Sequence, residues 1–442
     1  MKGMILIMTG KIPKILVFLA LFSAMVSAGA AAQEALTLEE CIENALEGNY
    51  ELEALRNRVQ AASARVDEAA AGLKPRLSLV GKYLWAGEQQ RLWPARYDGE
   101  RGIYDDEFAE GTAILEIPLS DGGKTRNLTK SERKLQEAAE ASLERQKERL
   151  GYDVKRLFYT ILAQKEAVSA LEKALESLRL HEKDVLAMLE AGKAARVDAL
   201  RVATEAAATE EQLLTQRNEL QTLKEDLLLV MGEKKKAVNY ELAGQFPEVG
   251  FVPDEGDLTE KALRSRSDYI SALRTIEARE YGLRAAEAAS NPEISLRGVH
   301  AYRSTGSGSE ESRTDAELYI EFPLFDGGIS HAKARQAKSE KAAAEAEANG
   351  LATRIEYEVS GALRAYDVAK QKAAIARIAL ESAEEGLRIE KLKFRSGKGT
   401  TTDVLSAHAA WLSALAEREA ARAEAALAAA RIEYVTGGTG DE

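Results

Sequence analysis

Two hydrophobic periods alternate along this chain, and the same succession occurs twice. Residues 38–72 place Cys41, Ile42, Ala45, Leu46, Leu52, Leu55 and Val59 at helical spacing. Thr37, with Glu40 three residues on, predicts a capping box at the start of this helix, and Pro75 stops it. Residues 76–86 then alternate, with Leu77, Leu79, Gly81, Tyr83 and Trp85 on one face and Arg76, Ser78, Val80, Lys82 and Leu84 on the other. Residues 108–119 repeat the alternation, Ala109, Gly111, Ala113, Leu115, Ile117 and Leu119 against Glu110, Thr112 and Glu116. Period two over about ten residues predicts strands with lipid on one side and water on the other.

From Gly123 to Ala191 the period becomes helical again, with no proline and with Gly151 as the only interior glycine. Apolar residues at 157, 161, 168, 171, 175, 178, 185 and 189 trace a heptad seam, interrupted by Gln164 and Glu182, which are expected to face solvent or a lumen. Such a helix is roughly 100 Å long. Gly192 ends it, and a second helix over 197–231 carries Leu213, Leu220 and Leu227 at heptad spacing. A short turn after a long helix predicts an antiparallel hairpin.

The second pass repeats the first. A helix is expected over 258–290, ended by Pro292. Strands follow at 293–303 and 314–324, the latter with Ala316, Leu318, Ile320, Phe322 and Leu324 outward, and a hairpin spans 328–435, broken at Gly397. The two strand-to-helix joints read LEIPLSDGGKTR and IEFPLFDGGISH. Pro118, Asp121, Gly122 and Gly123 fall at the same positions as Pro323, Asp326, Gly327 and Gly328, 205 residues later. The same offset carries Gly192 to Gly397, Asp198 to Asp403 and Gly232 to Gly437. The chain thus reads as an internal duplication: a first repeat over 33–232, a linker over 233–257, a second repeat over 258–437, and a tail over 438–442.

Composition narrows the class. Charged residues make up 30% and aromatics 6%, as in long helices and coiled coils. The one Cys and four His offer no disulfide and no metal-ligand spacing, and no cofactor is expected. Cys41, on an apolar helix face, is expected to be a core thiol rather than a lipidated terminus. Residues 1–32 carry Lys2, Lys11 and Lys14, no acid, an apolar run over 15–26 and a small-residue site, the pattern of a secretory signal peptide. Losing its three lysines takes the net charge from −12 to −15, which argues against nucleic acid. The acidic triplet at 105–107 is expected to be a solvated loop rather than a cation site. No nucleophile elbow or phosphate loop occurs, and the chain is not expected to be an enzyme.

Two strands per repeat give four per chain, too few for a closed barrel, yet a membrane tolerates only closed ones. Three chains would supply twelve. Inward Glu110, Glu116, Glu317 and Glu321 would then make an acidic wall.

These features together, with the opening LTLEECIENALEGNY and the paired G-x5-D-x-L turns at Gly192–Leu200 and Gly397–Leu405, resemble the TolC family of outer-membrane efflux proteins across essentially the whole mature chain. The resemblance implies an α+β membrane protein, a homotrimer whose twelve-stranded transmembrane β-barrel in outer-membrane lipid continues as a periplasmic α-helical barrel of coiled-coil hairpins. It implies docking of a periplasmic adaptor bound to an inner-membrane transporter of the RND or ABC type. The function implied is the exit duct of a tripartite efflux system. A type I protein secretion duct uses the same fold, and a structural coiled-coil envelope protein is the alternative of a different class. Adaptor docking is expected at the tips, around Gly192, Lys193, Gly397 and Lys398. Well-known members gate their tips through an Asp–Tyr pair and an Arg. Here the Asp position is Asp198, with Asp403 its counterpart, but the Tyr position is Phe394 and the Arg position Gly399, so closure is expected to rest on packing and other charges such as Arg395.

Overall fold

The computed structural model describes residues 35–85, 90–91, 103–104, 107–233, 240–247, 254–305, 308 and 310–438. The leader, most of the loop at 86–106 with Asp105 and Asp106, and parts of the linker and tail lie outside the described residues, whereas Glu107, the third acid of the expected loop triplet, opens a strand. The elements run β1 (Ala35–Leu36), α1 (Leu38–Gly48), α2 (Tyr50–Ala70), β2 (Arg76–Trp85), β3 (Gln90–Arg91), β4 (Ile103–Tyr104), β5 (Glu107–Ser120), α3 (Lys124–Glu190) and α4 (Arg196–Val230). After these come β6 (Glu241–Leu242), α5 (Glu255–Ser265), α6 (Ser267–Ala288), β7 (Glu293–Thr305), β8 (Glu310–Glu321), α7 (Ile329–Arg395) and α8 (Thr401–Val435). The hairpins match in length: α3 and α7 have 67 residues each, α4 and α8 have 35.

The first helix of each repeat is not continuous, as the sequence reading expected, but broken. Asn49 ends α1 and caps α2, its Oδ1 accepting from the amides of Glu51 and Leu52 at 2.9 and 3.2 Å. Its Nδ2 donates to the Val230 carbonyl at the end of α4, 3.1 Å away. Arg266, 217 residues later, breaks α5 from α6 and bonds the Val435 carbonyl at the end of α8. Both breaks are therefore tied to the close of their own repeat's hairpin.

The long strands form one antiparallel sheet in the order β2-β5-β7-β8. The repeats meet at β5–β7, and β2 and β8 are its edges. Register aligns the predicted outward rows: Leu77–Leu115–Gly298–Ala316 and Leu79–Ala113–His300–Thr314 lie on one face. That face stands bare, with Leu79 at 81% and Leu318 at 62% of full exposure.

The opposite face corrects the expected acidic wall. Arg76–Glu116–Arg297–Glu317 and Lys82–Glu110–Arg303–Glu311 are alternating rows across all four strands. Arg303 Nε donates to Glu110 at 2.9 Å. β8 also stops at Glu321, short of the predicted Leu324. β5 of the first repeat pairs with β7 past a bulge to Ser120, whereas β8 has no strand on its outer side among the described residues.

The largest core cluster joins α1, α3, α4 and β6 through Cys41, Ala45, Val154, Ile161, Leu227 and Leu242. Burial pushes the Cys41 thiol up to about 12. The 233–257 stretch is more than a linker: β6 pairs in parallel with β1, and the buried Tyr240 donates its hydroxyl to the Lys224 carbonyl at 2.8 Å. Most of the heptad residues of α3 are buried, from Leu157 to Val185. Gln164 is not simply solvated: its amide donates to Gln216 at 2.7 Å and ties α3 to α4.

Candidate functional site: joints and hairpin tips

Each strand-to-helix joint is an Asp-Gly-Gly turn. Asp121 accepts from the amides of Gly123 and Thr125 at 3.1 and 2.6 Å, and Asp326 accepts from those of Gly328 and Ser330 at 2.9 and 2.7 Å. These donors are the free amides of a starting helix. The Ser330 hydroxyl and amide hold the Asp326 carboxyl down at about 2. For Asp121, burial acts upward, but the bonds from Thr125 and Gly123 prevail and the net shift is downward.

The joints differ in surroundings. Gly122 has φ +66°, and a Cβ there would meet Asn291 Cβ at 2.2 Å. Asn291 Nδ2 donates to the Gly122 carbonyl at 2.9 Å, clasping the first joint to the start of β7. Gly327 has φ +69° and open space around it. Pro118 lies inside β5 beside the bulge, while Pro323 lies beyond β8.

The far ends are near-copies of each other. At the first tip the Gly192 amide donates to Leu189 O at 2.9 Å and the Lys193 amide to Met188 O at 2.7 Å. At the second, Gly397 donates to Phe394 O and Lys398 to Lys393 O, both at 2.9 Å. These pairs close each helix with a Schellman turn. Asp198 then accepts the Ala195 amide at 3.2 Å, and Asp403 accepts the Thr400 amide at 3.0 Å and its hydroxyl at 2.7 Å. Both carboxylates thus begin the return helices, and Asp198 lies 3.9 Å from Arg201.

The structure brings other residues together at the tip. Phe394 is buried with Val185, Ala199, Val202 and Val404. Its ring meets that of His181 edge-on at 4.7 Å. Arg395 Nε bonds Asp184 at 3.2 Å, and Arg201 bonds Thr402 at 3.3 Å. The sequence reading missed both histidines here. His181 is buried, and burial, against the pull of Asp184, moves its pKa down. His408 sits 3.2 Å from Ala174 O, and burial, helped by Lys391, lowers it to about 4. Only their position on the buried seams of α3 and α8 could have marked them.

Among the described residues no group of three or more His, Cys, Asp or Glu could hold a metal ion, and no helix is long and apolar enough to cross a membrane. A cleft of ≈ 390 Å³ opens beside Arg266, lined by Arg145, Arg149, Tyr152 and Tyr434 among others. Three of its arginines are engaged: Arg145 with Glu148 at 2.8 Å, Arg149 with Asp153 at 3.8 Å and Arg266 with Glu358 at 2.6 Å.

Comparison with known proteins agrees with this layout. The model of a family described as outer membrane efflux protein matches residues 41–233 and 258–438, one stretch per repeat. The chain is 25% identical over 368 residues to outer membrane protein OprJ of Pseudomonas aeruginosa, covering 81% of this chain and 75% of that protein. It is 23% identical over 384 residues to outer membrane efflux protein BepC of Brucella suis, covering 84% and 78%. The crystal structure of outer membrane protein VceC from Vibrio cholerae superposes with a TM-score of 0.74 at 18% identity, covering 91% of this chain and 96% of that one. With one match on each copy of its duplicated unit, the chain belongs to the outer membrane efflux protein family.

Proposed function

We propose that three copies of this chain form the exit duct of a tripartite efflux system, a twelve-stranded barrel in the outer membrane continued by a periplasmic tunnel of helical hairpins. One observation carries this reading: a two-faced, four-stranded sheet, apolar on one side and polar on the other, whose edges β2 and β8 lack partners among the described residues. Unpaired edges are untenable in lipid, so a spanning sheet must close on further copies.

The duplication supplies the register of that closure. Within the chain Leu115 pairs with Gly298 across the junction of the repeats. Ile320 is the counterpart of Leu115, and Gly81 that of Gly298. Ile320 should therefore lie opposite Gly81 of the neighbouring copy. With Ile320→Cys and Gly81→Cys in one chain, oxidation in native membranes is expected to give covalent dimers and trimers. Ile320→Cys with Leu77→Cys is four residues out of register and should not. Monomers alone from the first pair, or equal yields from both, would refute this closure.

The hairpin tips are the adaptor's docking surface in this reading. Both tips offer a glycine turn with open space around it, followed by Lys193 or Lys398. Bare backbone lets another helical tip approach closely, and three copies present six such turns. Gly192→Trp and Gly397→Trp are expected to leave trimer yield within twofold while cross-linking to the adaptor and export fall at least tenfold. Unchanged export with both substitutions would rule out docking here. Loss of the trimer would assign these glycines to the turn alone.

A further inference from the structure

We infer that the barrel wall of this duct is charge-compensated and does not itself favour cationic over anionic or zwitterionic cargo. The inference rests on the barrel reading above, which puts the polar face of the sheet toward water.

The two rows of alternating charge provide the argument. Every acid in them stands across from a base on an adjacent strand: Glu116 lies between Arg76 and Arg297, and Glu110 between Lys82 and Arg303. Two of their cations are held on this face by side-chain contacts. The Arg303 guanidinium is bonded to Glu110 and lies 4.6 Å from the centre of the buried Phe108 ring, which Lys82 Nζ approaches at 5.5 Å. Arg313 and Asp315 on β8 form a further pair at 2.6 Å.

Balance is complete over most of the wall. Among the described residues, five basic and five acidic side chains share this face above its helix-side end. The surplus acids, Glu293 and Glu321, face each other at that end, beside the α3 and α7 joints. Lys124 stands 3.9 Å from Glu293. Strands of opposite charge arranged in rings leave little net potential at the centre of a water-filled pore, because each charge and its neighbour cancel within about one Debye length of 8–10 Å. An uncompensated acidic wall would instead concentrate cations and repel anions.

The test reads the local potential inside the barrel, not the conductance of the whole duct, which the tips also limit. Val299 lies on the polar face between Ile114 and Asp315, two residues from Arg297. In trimers carrying Val299→Cys, the rates of modification by a sulfonate-bearing and by a trimethylammonium-bearing methanethiosulfonate are compared, each normalised to a free thiol. Cys41 is fully buried and its thiol pushed up to about 12, so it stays silent. The normalised rates are expected to agree within about threefold. Adding Arg297→Gln and Arg303→Gln should shift their ratio on the order of tenfold toward the cationic reagent, the effect of a few unit charges through partly screened water. Should that variant not assemble, Glu116→Gln with Glu317→Gln should shift the ratio the other way. A wild-type wall already tenfold cation-favouring, or a ratio unmoved by these neutralisations, would overturn the inference. The barrel reading is checked separately by Ala316→Cys on the apolar face, which neither reagent should reach. If Ala316→Cys reacts and Val299→Cys does not, the face assignment falls, and the inference with it.

Discussion

Arg266→Ala is expected to destabilise the helical part of the protein by about 3 kcal/mol, the cost of breaking a charge network around a buried guanidinium. Arg266 is 2% exposed and stands at the break between α5 and α6. It bonds Asp268 at 2.7 Å, Glu358 of α7 at 2.6 Å and the Val435 carbonyl of α8 at 3.4 Å. Ser265 and Gly437 pack against the same corner, the Ser265 hydroxyl donating to Thr436 O at 2.8 Å. Removing the guanidinium leaves Glu358 and the Val435 carbonyl without it, and leaves Asp268 with Arg145 alone, 3.5 Å away.

The deficit should depend on pH with a definite sign. Burial alone would raise the Asp268 pKa, but the Arg266 bond and the charge of Arg145 prevail and hold it below the usual range. A depressed carboxylate contributes stability above its unfolded pKa of about 3.9 and loses it as pH falls through the folded value. The gap between wild type and Arg266→Ala is therefore widest near neutrality and narrows on acidification, when Asp268 takes up a proton. Urea unfolding in detergent, followed by helical circular dichroism from neutral to acid pH, measures it. A gap below 1 kcal/mol at neutral pH, or one that grows with acid, would contradict this account.

The second large effect is an inequality between sequence twins. Gly122→Ala must place a Cβ within 2.2 Å of Asn291 Cβ at a positive φ, whereas Gly327→Ala meets only the φ penalty. The left-handed conformation costs roughly 1–2 kcal/mol for a residue with a Cβ, and overpacking adds about 1–3. Gly122→Ala is expected to lose about 3 kcal/mol and Gly327→Ala about 1, read from the same unfolding curves. Equal losses would mean that the Asn291 clasp yields without cost.

Much of this was legible in the sequence because it repeats locally. The Asp-Gly-Gly joints, the heptad seam from Leu157 to Val185 and the glycine tips each declare themselves within a few residues. What was missed depends on partners far along the chain. The breaks at Asn49 and Arg266 look like ordinary helix, since the carbonyls that hold them open belong to residues 181 and 169 positions away. The acidic wall dissolved for the same reason: Glu110 finds Arg303 193 residues later, and only strand register joins them. Asp198 stands at a gate position in the sequence, yet within one chain its carboxylate caps its own helix. Phe394 in the Tyr position fills a buried cluster with His181, a contact between helices α3 and α7 that no local pattern announces.

The unbroken length of α3 and α7 turns each joint into a fulcrum. Sixty-seven residues in one helix make a lever arm of roughly 100 Å. A tilt of a single degree at Gly122 or Gly327 sweeps the opposite end sideways by about 2 Å, most of a water molecule's width. In the duct proposed above, the aperture at the tips would thus be set partly at the other end of the molecule, by two short turns and the asparagine that braces one of them.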